Sequence, residues 1–142
     1  MLSISVIAVF AVIMVVSFQE VWSLKCWKCS SDSVDGAFCN DPFDETAISP
    51  RQKRWSFVTC PNKSPRSDSE DRKPVCKKIK QLVSGKEVIA RTCYWERPNS
   101  TKNDCINTST PSYIETVFCE TCTTDGCNGA ALDDFPSNED EI

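Results

Sequence analysis

The sequence predicts a small all-β domain that is rich in disulfides and has long loops. Three observations support this fold class. All ten cysteines follow an apolar N-terminal segment, the segments between them have the composition of short strands or polar loops, and none shows a sustained apolar period of 3.6 residues. Because large apolar side chains are sparse after residue 24, disulfides must replace much of a hydrophobic interior.

The N-terminal segment has the pattern of a secretory signal peptide. Residues 1–18 are almost wholly apolar, Glu20 is the first charged residue, and Val21 and Ser23 occupy the two positions that a signal peptidase reads. We therefore predict a signal peptide over residues 1–23, cleaved after Ser23. The alternative is an uncleaved membrane anchor, for which the run is short because a span needs roughly 20 residues.

Secretion would place the cysteines in an oxidising compartment. There, an even number at this density indicates five disulfides, each typically adding about 2 to 4 kcal/mol to stability. The formal charge of −4 is not that of a nucleic-acid-binding protein. Three Asn-x-Ser/Thr sequons predict a glycosylated surface. The acceptor residues are Asn62, Asn99 and Asn107.

Four segments have strand composition. They are residues 24–30, residues 54–60, a hairpin over 76–94 that turns at Gly85, and residues 113–119. Glycine tolerates positive φ, which a tight hairpin turn requires. The expected packing residues of the first two strands are Trp27, Trp55, Phe57 and Val58. Polar residues 40–50 and 61–74 are predicted to be long loops.

The two ends of the cysteine-bearing region resemble a known family. The opening Cys26-Trp27-Lys28-Cys29 and the closing Cys122-Thr123-Thr124-Asp125-Gly126-Cys127-Asn128 are similar to the ends of an Ly-6/urokinase-receptor domain. Cys39-Asn40-Asp41-Pro42-Phe43 and Cys76-Lys77-Lys78-Ile79-Lys80-Gln81 further resemble the insect sleepless/quiver branch. The resemblance covers residues 24–129 and implies a three-finger domain of the snake-toxin type, with no cofactor.

The resemblance also implies how the cysteines pair, which sequence spacing alone does not determine. The three fingers would span residues 29–60, 76–93 and 105–119. The implied bridges are Cys26–Cys76, Cys29–Cys39, Cys60–Cys93, Cys105–Cys119 and Cys122–Cys127.

The C-terminal residues 130–142 form an acidic tail without an apolar run. Members of the sleepless/quiver branch usually carry a hydrophobic tail that directs attachment of a glycolipid (GPI) anchor. We therefore expect a secreted or cell-surface protein. Whether this form is released, or ends differently in another form, stays open.

The residue types argue against an enzyme. The chain has no histidine, which removes Ser-His-Asp and Cys-His catalysis and the commonest zinc ligand. Its four glycines do not form a phosphate-binding loop. The alternative use of the cysteines is zinc binding, because Cys26-x-x-Cys29 and Cys119-x-x-Cys122 have the spacing of metal ligands. The predicted signal peptide favours disulfides over this metal site.

Finger two carries the candidate partner-binding residues. A rigid disulfide base would leave its tip exposed, and alternating cations on its flank could steer it toward an acidic channel or receptor. The alternative is that these lysines only form a solvated face. Tyr94 and Trp95 could be interface anchors or packing residues. The tip residues are Ser84, Gly85, Lys86 and Glu87, and the flanking residues are Lys77, Lys78, Lys80 and Arg91.

Three hypotheses for function follow. The resemblance implies a non-enzymatic modulator of a voltage-gated potassium channel or a nicotinic acetylcholine receptor, with a role in sleep or rhythmic behaviour. A second hypothesis is a structural protein in the assembly of cell junctions or epithelial barriers. A third is a released, ligand-like effector. All three have a membrane protein or cell surface as the partner, rather than nucleic acid or a small-molecule substrate.

Overall fold

The computed structural model describes residues 23–65, 72–106 and 110–130. It confirms the fold class as a small, mostly β, disulfide-rich three-finger domain. The proposed signal peptide, apart from Ser23, and the tail after Ala130 lie outside the described residues, as does the sequon residue Asn107. The strands are β1 (Lys25–Trp27), β2 (Cys29–Ser30), β3 (Phe57–Thr59), β4 (Lys73–Val83), β5 (Lys86–Glu96) and β6 (Ile114–Cys122).

The strands form two antiparallel sheets. Strands β1 and β3 pair in a two-stranded sheet, and the other four follow the order β2-β5-β4-β6. The predicted hairpin is confirmed: β4 and β5 pair along their whole lengths, from Lys73 opposite Glu96 to Val83 opposite Lys86. Ser84 and Gly85 form its two-residue turn with φ values of 50° and 81°. Two successive positive φ values match the right-handed twist of the strands that they connect.

Helix α1 (Pro50–Ser56) lies where the sequence predicted the end of a polar loop and the first half of a strand, and helix α2 (Lys102–Ile106) lies in a segment for which no element was predicted. The predicted strand over residues 54–60 is wrong in its first half, since β3 begins only at Phe57. The physical reason is a capping box. Gln52 N–H donates to Ser49 Oγ at 3.2 Å, and Ser49 N–H donates to Gln52 Oε1 at 2.9 Å. These bonds satisfy amide groups that the first helical turn leaves unpaired.

Disulfides occupy the centre of the molecule. Cys26, Cys60 and Cys76 are fully buried and form one cluster. In the sheet, Cys76 on β4 lies between Cys93 on β5 and Cys122 on β6, so several bridges meet at one end of the strands. The bridges, which are the pairs implied by the resemblance, are Cys26–Cys76, Cys29–Cys39, Cys60–Cys93, Cys105–Cys119 and Cys122–Cys127.

An aromatic cluster completes the interior beside the bridges. The ring of Trp27 lies 4.9 Å from that of Phe43 and 4.7 Å from that of Phe57, both in tilted contact. Trp27 therefore packs as the sequence predicted. Trp55 does not, because α1 turns it outward and leaves it 59% exposed. Within the three described ranges, no helix combines the length and apolar character needed to cross a membrane.

Candidate functional site

The tip of finger two is exposed, as a partner-binding tip must be. Residues 84–87 are all solvent-exposed at the end of the β4–β5 hairpin. The amide of Ser84 donates to the carbonyl oxygen of Tyr113 at 2.8 Å, which connects the tip to finger three just before β6 begins. The tip is therefore accessible but held in position by its neighbour. Its role in binding stays a proposal.

The predicted basic flank is not a surface, and this corrects the sequence analysis. Lys77 is 9% exposed, and Lys78 and Arg91 are each 1% exposed. They lie on β4 and β5, the two central strands of the four-stranded sheet. Lys80 is partly exposed, but its ammonium group pairs with Glu87 at 2.9 Å. Three of the four flanking cations are therefore structural in this fold.

Arg91 instead binds the segment that follows Cys39, the third cysteine of the chain. Its guanidinium donates to the carbonyl oxygens of Cys39 at 2.7 Å and Asn40 at 3.2 Å. The ring of Phe43 lies 5.0 Å from the guanidinium carbon, within the range of a cation–π contact. A planar group with several donors suits this arrangement better than an ammonium would. Arg91 therefore connects finger one to the four-stranded sheet through these contacts.

Asp41 lies between two buried cations. Its Oδ1 atom is 3.5 Å from the Arg91 guanidinium and 3.6 Å from the Lys78 ammonium. Lys78 also donates to the carbonyl oxygen of Ala130 at 2.7 Å. Burial lowers the pKa of Lys78 and lowers that of Arg91 to about 10, while the charge of Asp41 opposes both shifts. The three side chains form a charge cluster that joins residues 39–43, the sheet and the C-terminal turn.

Asn128, the residue after the last cysteine, closes the domain. It is fully buried, its Oδ1 accepts from the amide of Trp27 at 3.0 Å, and its Nδ2 donates to the carbonyl oxygens of Trp27 at 2.9 Å and Lys77 at 3.1 Å. One side chain thus bridges β1 and β4 and satisfies three backbone groups. The asparagine of the Cys127-Asn128 ending therefore has a structural role in this domain.

Lys77 is buried without an ion pair among the described residues. Its ammonium lies 4.7 Å from the centre of the Tyr94 ring, and desolvation by burial lowers its pKa below the usual 10.5. A cation–π contact of this kind contributes about 0.5 to 2 kcal/mol. That contact offsets part of the cost of burying the charge.

We expect Lys77→Met to raise the free energy of unfolding by about 1 kcal/mol at neutral pH, because it removes a buried charge while its sulfur can still contact Tyr94. The wild type should gain stability as pH rises from the lowered pKa toward 10.5, since the unfolded chain then binds more protons than the folded one. The variant should lack the part of this gain that Lys77 contributes and keep the part that comes from Lys78, whose pKa is also lowered. Urea unfolding at pH 7 to 10 measures both effects, with the exposed Lys86→Met as control. A destabilised variant would contradict the prediction.

The remaining predicted residues differ in how far they are exposed to solvent. Trp95 and Tyr94 are half-buried, and the indole N–H of Trp95 donates to the carbonyl oxygen of Pro61 at 2.9 Å. The sequon residues Asn62 and Asn99 are exposed.

The sulfurs of Cys26, Cys60 and Cys93 lie within 4.8 Å of one another, but each belongs to a disulfide and is therefore not a thiolate ligand. This triad is a contact between two bridges.

Sequence reasoning missed an exposed surface at finger one. Trp55 on α1 and Val34, which is fully exposed, line a cavity of about 270 Å³ whose floor includes the buried Phe38. The Ser49-x-x-Gln52 capping box was the signal that could have revealed α1 and the outward position of Trp55. A search for apolar periodicity misses a helix of seven residues because it spans only two turns.

Comparisons with known proteins agree with this architecture. Residues 24–128 match the Quiver family u-PAR/Ly-6-like domain. The chain is also 27% identical over 127 residues to the UPAR/Ly6 domain-containing protein crok of Drosophila melanogaster, covering 87% of this chain and 78% of that protein. No solved structure matches significantly. The family match covers most of the chain, with its cysteines and the buried Asn128, and the protein therefore belongs to the Quiver family of u-PAR/Ly-6-like domains.

Proposed function

We propose that this protein is a non-enzymatic extracellular modulator that binds a membrane channel or receptor. The observation that carries the proposal is the exposed tip at residues 84–87, held at the end of a hairpin whose base is crosslinked by Cys26–Cys76 and Cys60–Cys93. Such a base fixes the tip before a partner arrives. Less conformational entropy is then lost on binding, which is how preorganisation improves affinity.

The resemblance to the sleepless/quiver branch supports a voltage-gated potassium channel or a nicotinic acetylcholine receptor as the partner, and a role in sleep or rhythmic behaviour. Membership of the Quiver family supports the coarser class of partner, a membrane receptor or channel. We place the protein at the outer cell surface or in the medium, with Asn62, Asn99 and Asn107 as its glycosylation sites. The junction-assembly and released-effector hypotheses predict different locations, at lateral epithelial membranes and in the medium respectively.

Co-expression with either channel class is expected to change current amplitude, gating kinetics or surface level. Lys86→Glu should weaken this effect about tenfold, because a reversed charge at an exposed tip opposes an acidic partner without disturbing the fold. Whole-cell recording and surface labelling measure the result. The matched control is Lys63→Glu, which makes the same charge change on an exposed residue away from the tip and keeps the Asn62 sequon.

No effect of the wild type on either channel class would contradict the proposed partners. Equal effects of the two variants would contradict the role of the tip. Localisation of the native protein then separates the alternatives: a neuronal surface agrees with modulation, and a lateral epithelial membrane agrees with junction assembly.

A further inference from the structure

A groove opens at the base of the β4–β5 hairpin, at the end opposite the tip. Two of its lining residues, Lys73 and Glu96, pair at the start of the ladder that ends at Val83 and Lys86, so the rise of a strand places groove and tip about 30 Å apart. The groove holds about 880 Å³, within the roughly 300 to 1,000 Å³ typical of small-ligand pockets. This base groove is lined by residues 23–24, 62, 73–75, 96–98, 100 and 123–125.

Asn62, the acceptor of the first sequon, is one of the lining residues. The two residues before it are held in place. Cys60 is fully buried and forms a disulfide with Cys93, and the indole N–H of Trp95 donates to the carbonyl oxygen of Pro61 at 2.9 Å. Asn62 itself is exposed. Its side chain is therefore accessible to modification, while its backbone is fixed beside the base groove.

The walls of the base groove combine apolar surface with hydroxyl groups. The apolar lining includes Leu24, Pro74 and Pro98, and the hydroxyl-bearing lining includes Ser100, Thr123 and Thr124. N-acetylglucosamine, the sugar that N-glycosylation attaches to asparagine, has matching groups. Its ring face and its N-acetyl methyl group are apolar, and its hydroxyl groups both donate and accept, as serine and threonine do. Sites for small polar ligands show this mixture of apolar walls and a few polar groups.

Charge alone does not select the occupant of the base groove. The charged lining residues are Lys73, Glu96, Arg97 and Asp125, two of each sign, and the exposed Lys25 and Lys63 each follow a lining residue in sequence. The covalent attachment point is the stronger argument. A glycan tethered at the groove has a high effective concentration there, whereas a free ligand must bind from solution. The rival attachment point is Asn99, whose neighbours Pro98 and Ser100 line the groove.

We propose that the N-linked glycan of Asn62 folds back onto the domain and that its first two N-acetylglucosamine residues occupy the base groove. The sugar rings would cover the apolar walls, and the sugar hydroxyl groups would bind the polar ones. The glycan would then be part of the folded structure and would close the base of the domain to protein partners. The inference rests on the extracellular, glycosylated state in the proposed function but not on the identity of the partner.

NMR of a secreted protein that carries a single glycan tests this placement. The Asn99→Gln/Asn107→Gln double variant keeps Asn62 as its one sequon, and mass spectrometry measures the occupancy of that sequon. We expect nuclear Overhauser contacts between the N-acetyl methyl groups of the first two sugars and the methyl groups of Leu24 and Val75, which both line the groove. An occupied Asn62 without such contacts would overturn the proposal, and so would an unmodified Asn62 in the secreted protein.

Thermal unfolding with the disulfides intact measures whether the glycan stabilises the fold. Asn62→Gln should lower the melting temperature of the glycosylated protein by about 4 °C or more, and Asn107→Gln by less than about 1 °C. Enzymatic release of the glycans from the folded protein repeats the comparison without depending on secretion of the variant. Equal losses from the two variants, or a larger loss from Asn99→Gln than from Asn62→Gln, would contradict the assignment of the groove to Asn62.

A double-mutant cycle identifies the wall that the glycan contacts. Pro98→Ser removes apolar surface from the base groove, and the loss caused by Asn62→Gln should be clearly smaller in that background, because contacting groups are not additive. The matched control is Val34→Ser, which changes a fully exposed apolar residue of finger one and should leave the loss unchanged. The same loss in both backgrounds would show that the glycan acts without contacting this wall.

Failure of this inference can be distinguished from failure of the proposed function. At equal surface level, Asn62→Gln should alter channel currents as the wild type does, because the base groove and the tip lie at opposite ends of the hairpin. If the sugars contact the groove but no channel responds, the glycan placement stands and the proposed partner class is wrong. If channels respond and the sugars make no such contacts, the placement is wrong and the modulator proposal stands.

Discussion

Replacing Asn128 with alanine is expected to lower the free energy of unfolding by about 4 kcal/mol. The side chain is fully buried and serves three backbone groups, the N–H and C=O of Trp27 and the C=O of Lys77. Alanine would leave all three without their partner, and each buried unsatisfied group costs about 1 to 3 kcal/mol. Asn128→Asp should cost more, because it places carboxylate oxygen against two carbonyl oxygens in the interior.

Urea unfolding with the disulfides intact measures this loss. The matched control is Asn40→Ala, because Asn40 is exposed and is held through its backbone carbonyl rather than its side chain. We expect the control to change stability by less than about 0.5 kcal/mol. A loss at Asn128 no larger than that of the control would show that its hydrogen bonds do not stabilise the domain closure.

Replacing Asp41 with asparagine is expected to lower the free energy of unfolding by about 3 kcal/mol. The carboxylate lies within 3.6 Å of the cations of both Lys78 and Arg91, whose side chains are 1% and 0% exposed. Removing the negative charge leaves two buried positive charges to repel each other, and breaking a buried ion pair from one side typically costs about 3 to 5 kcal/mol. Glu120 near Lys78 compensates only in part.

Asp44→Asn is the control for this substitution. Asp44 caps the short turn Glu45–Ala47 from an exposed position, and asparagine caps such turns about as well as aspartate. Thermal and urea unfolding of the two variants should therefore differ clearly. If Asp41→Asn lost no more stability than Asp44→Asn, the buried charges would not depend on Asp41, and another partner would have to neutralise them.

Local signals accounted for the parts of the fold that the sequence predicted correctly. The β4–β5 hairpin followed from two strand-like runs around Gly85, whose positive φ is a property of the turn itself. Trp27 packs in the interior as expected, beside the buried bridges. Such features depend on neighbouring residues or on cysteine content. They can therefore be predicted from the sequence without knowledge of the tertiary fold.

The predictions that failed concern which side of an element faces solvent. The lysines and the arginine of finger two alternate along strands, which resembles a solvated face, yet Lys78 and Arg91 are buried because residues 39–43 fold over them and supply carbonyl oxygens and a carboxylate. Trp55 shows the reverse. It resembles a packing residue, but the capping box starts a helix that turns it outward. The burial of the two cations depends on a segment distant in sequence, whereas the helix that carries Trp55 has a local signal in the Ser49-x-x-Gln52 capping box.

Composition and short-range geometry were enough to predict a small, mostly β, disulfide-rich chain with a tight central hairpin. The tertiary structure decided which charged and aromatic residues are available to a partner. Burial depends on segments distant in sequence that cover a strand, as the contact of Arg91 with Cys39 shows. The burial of Lys78 and Arg91 could therefore be identified only from the folded chain.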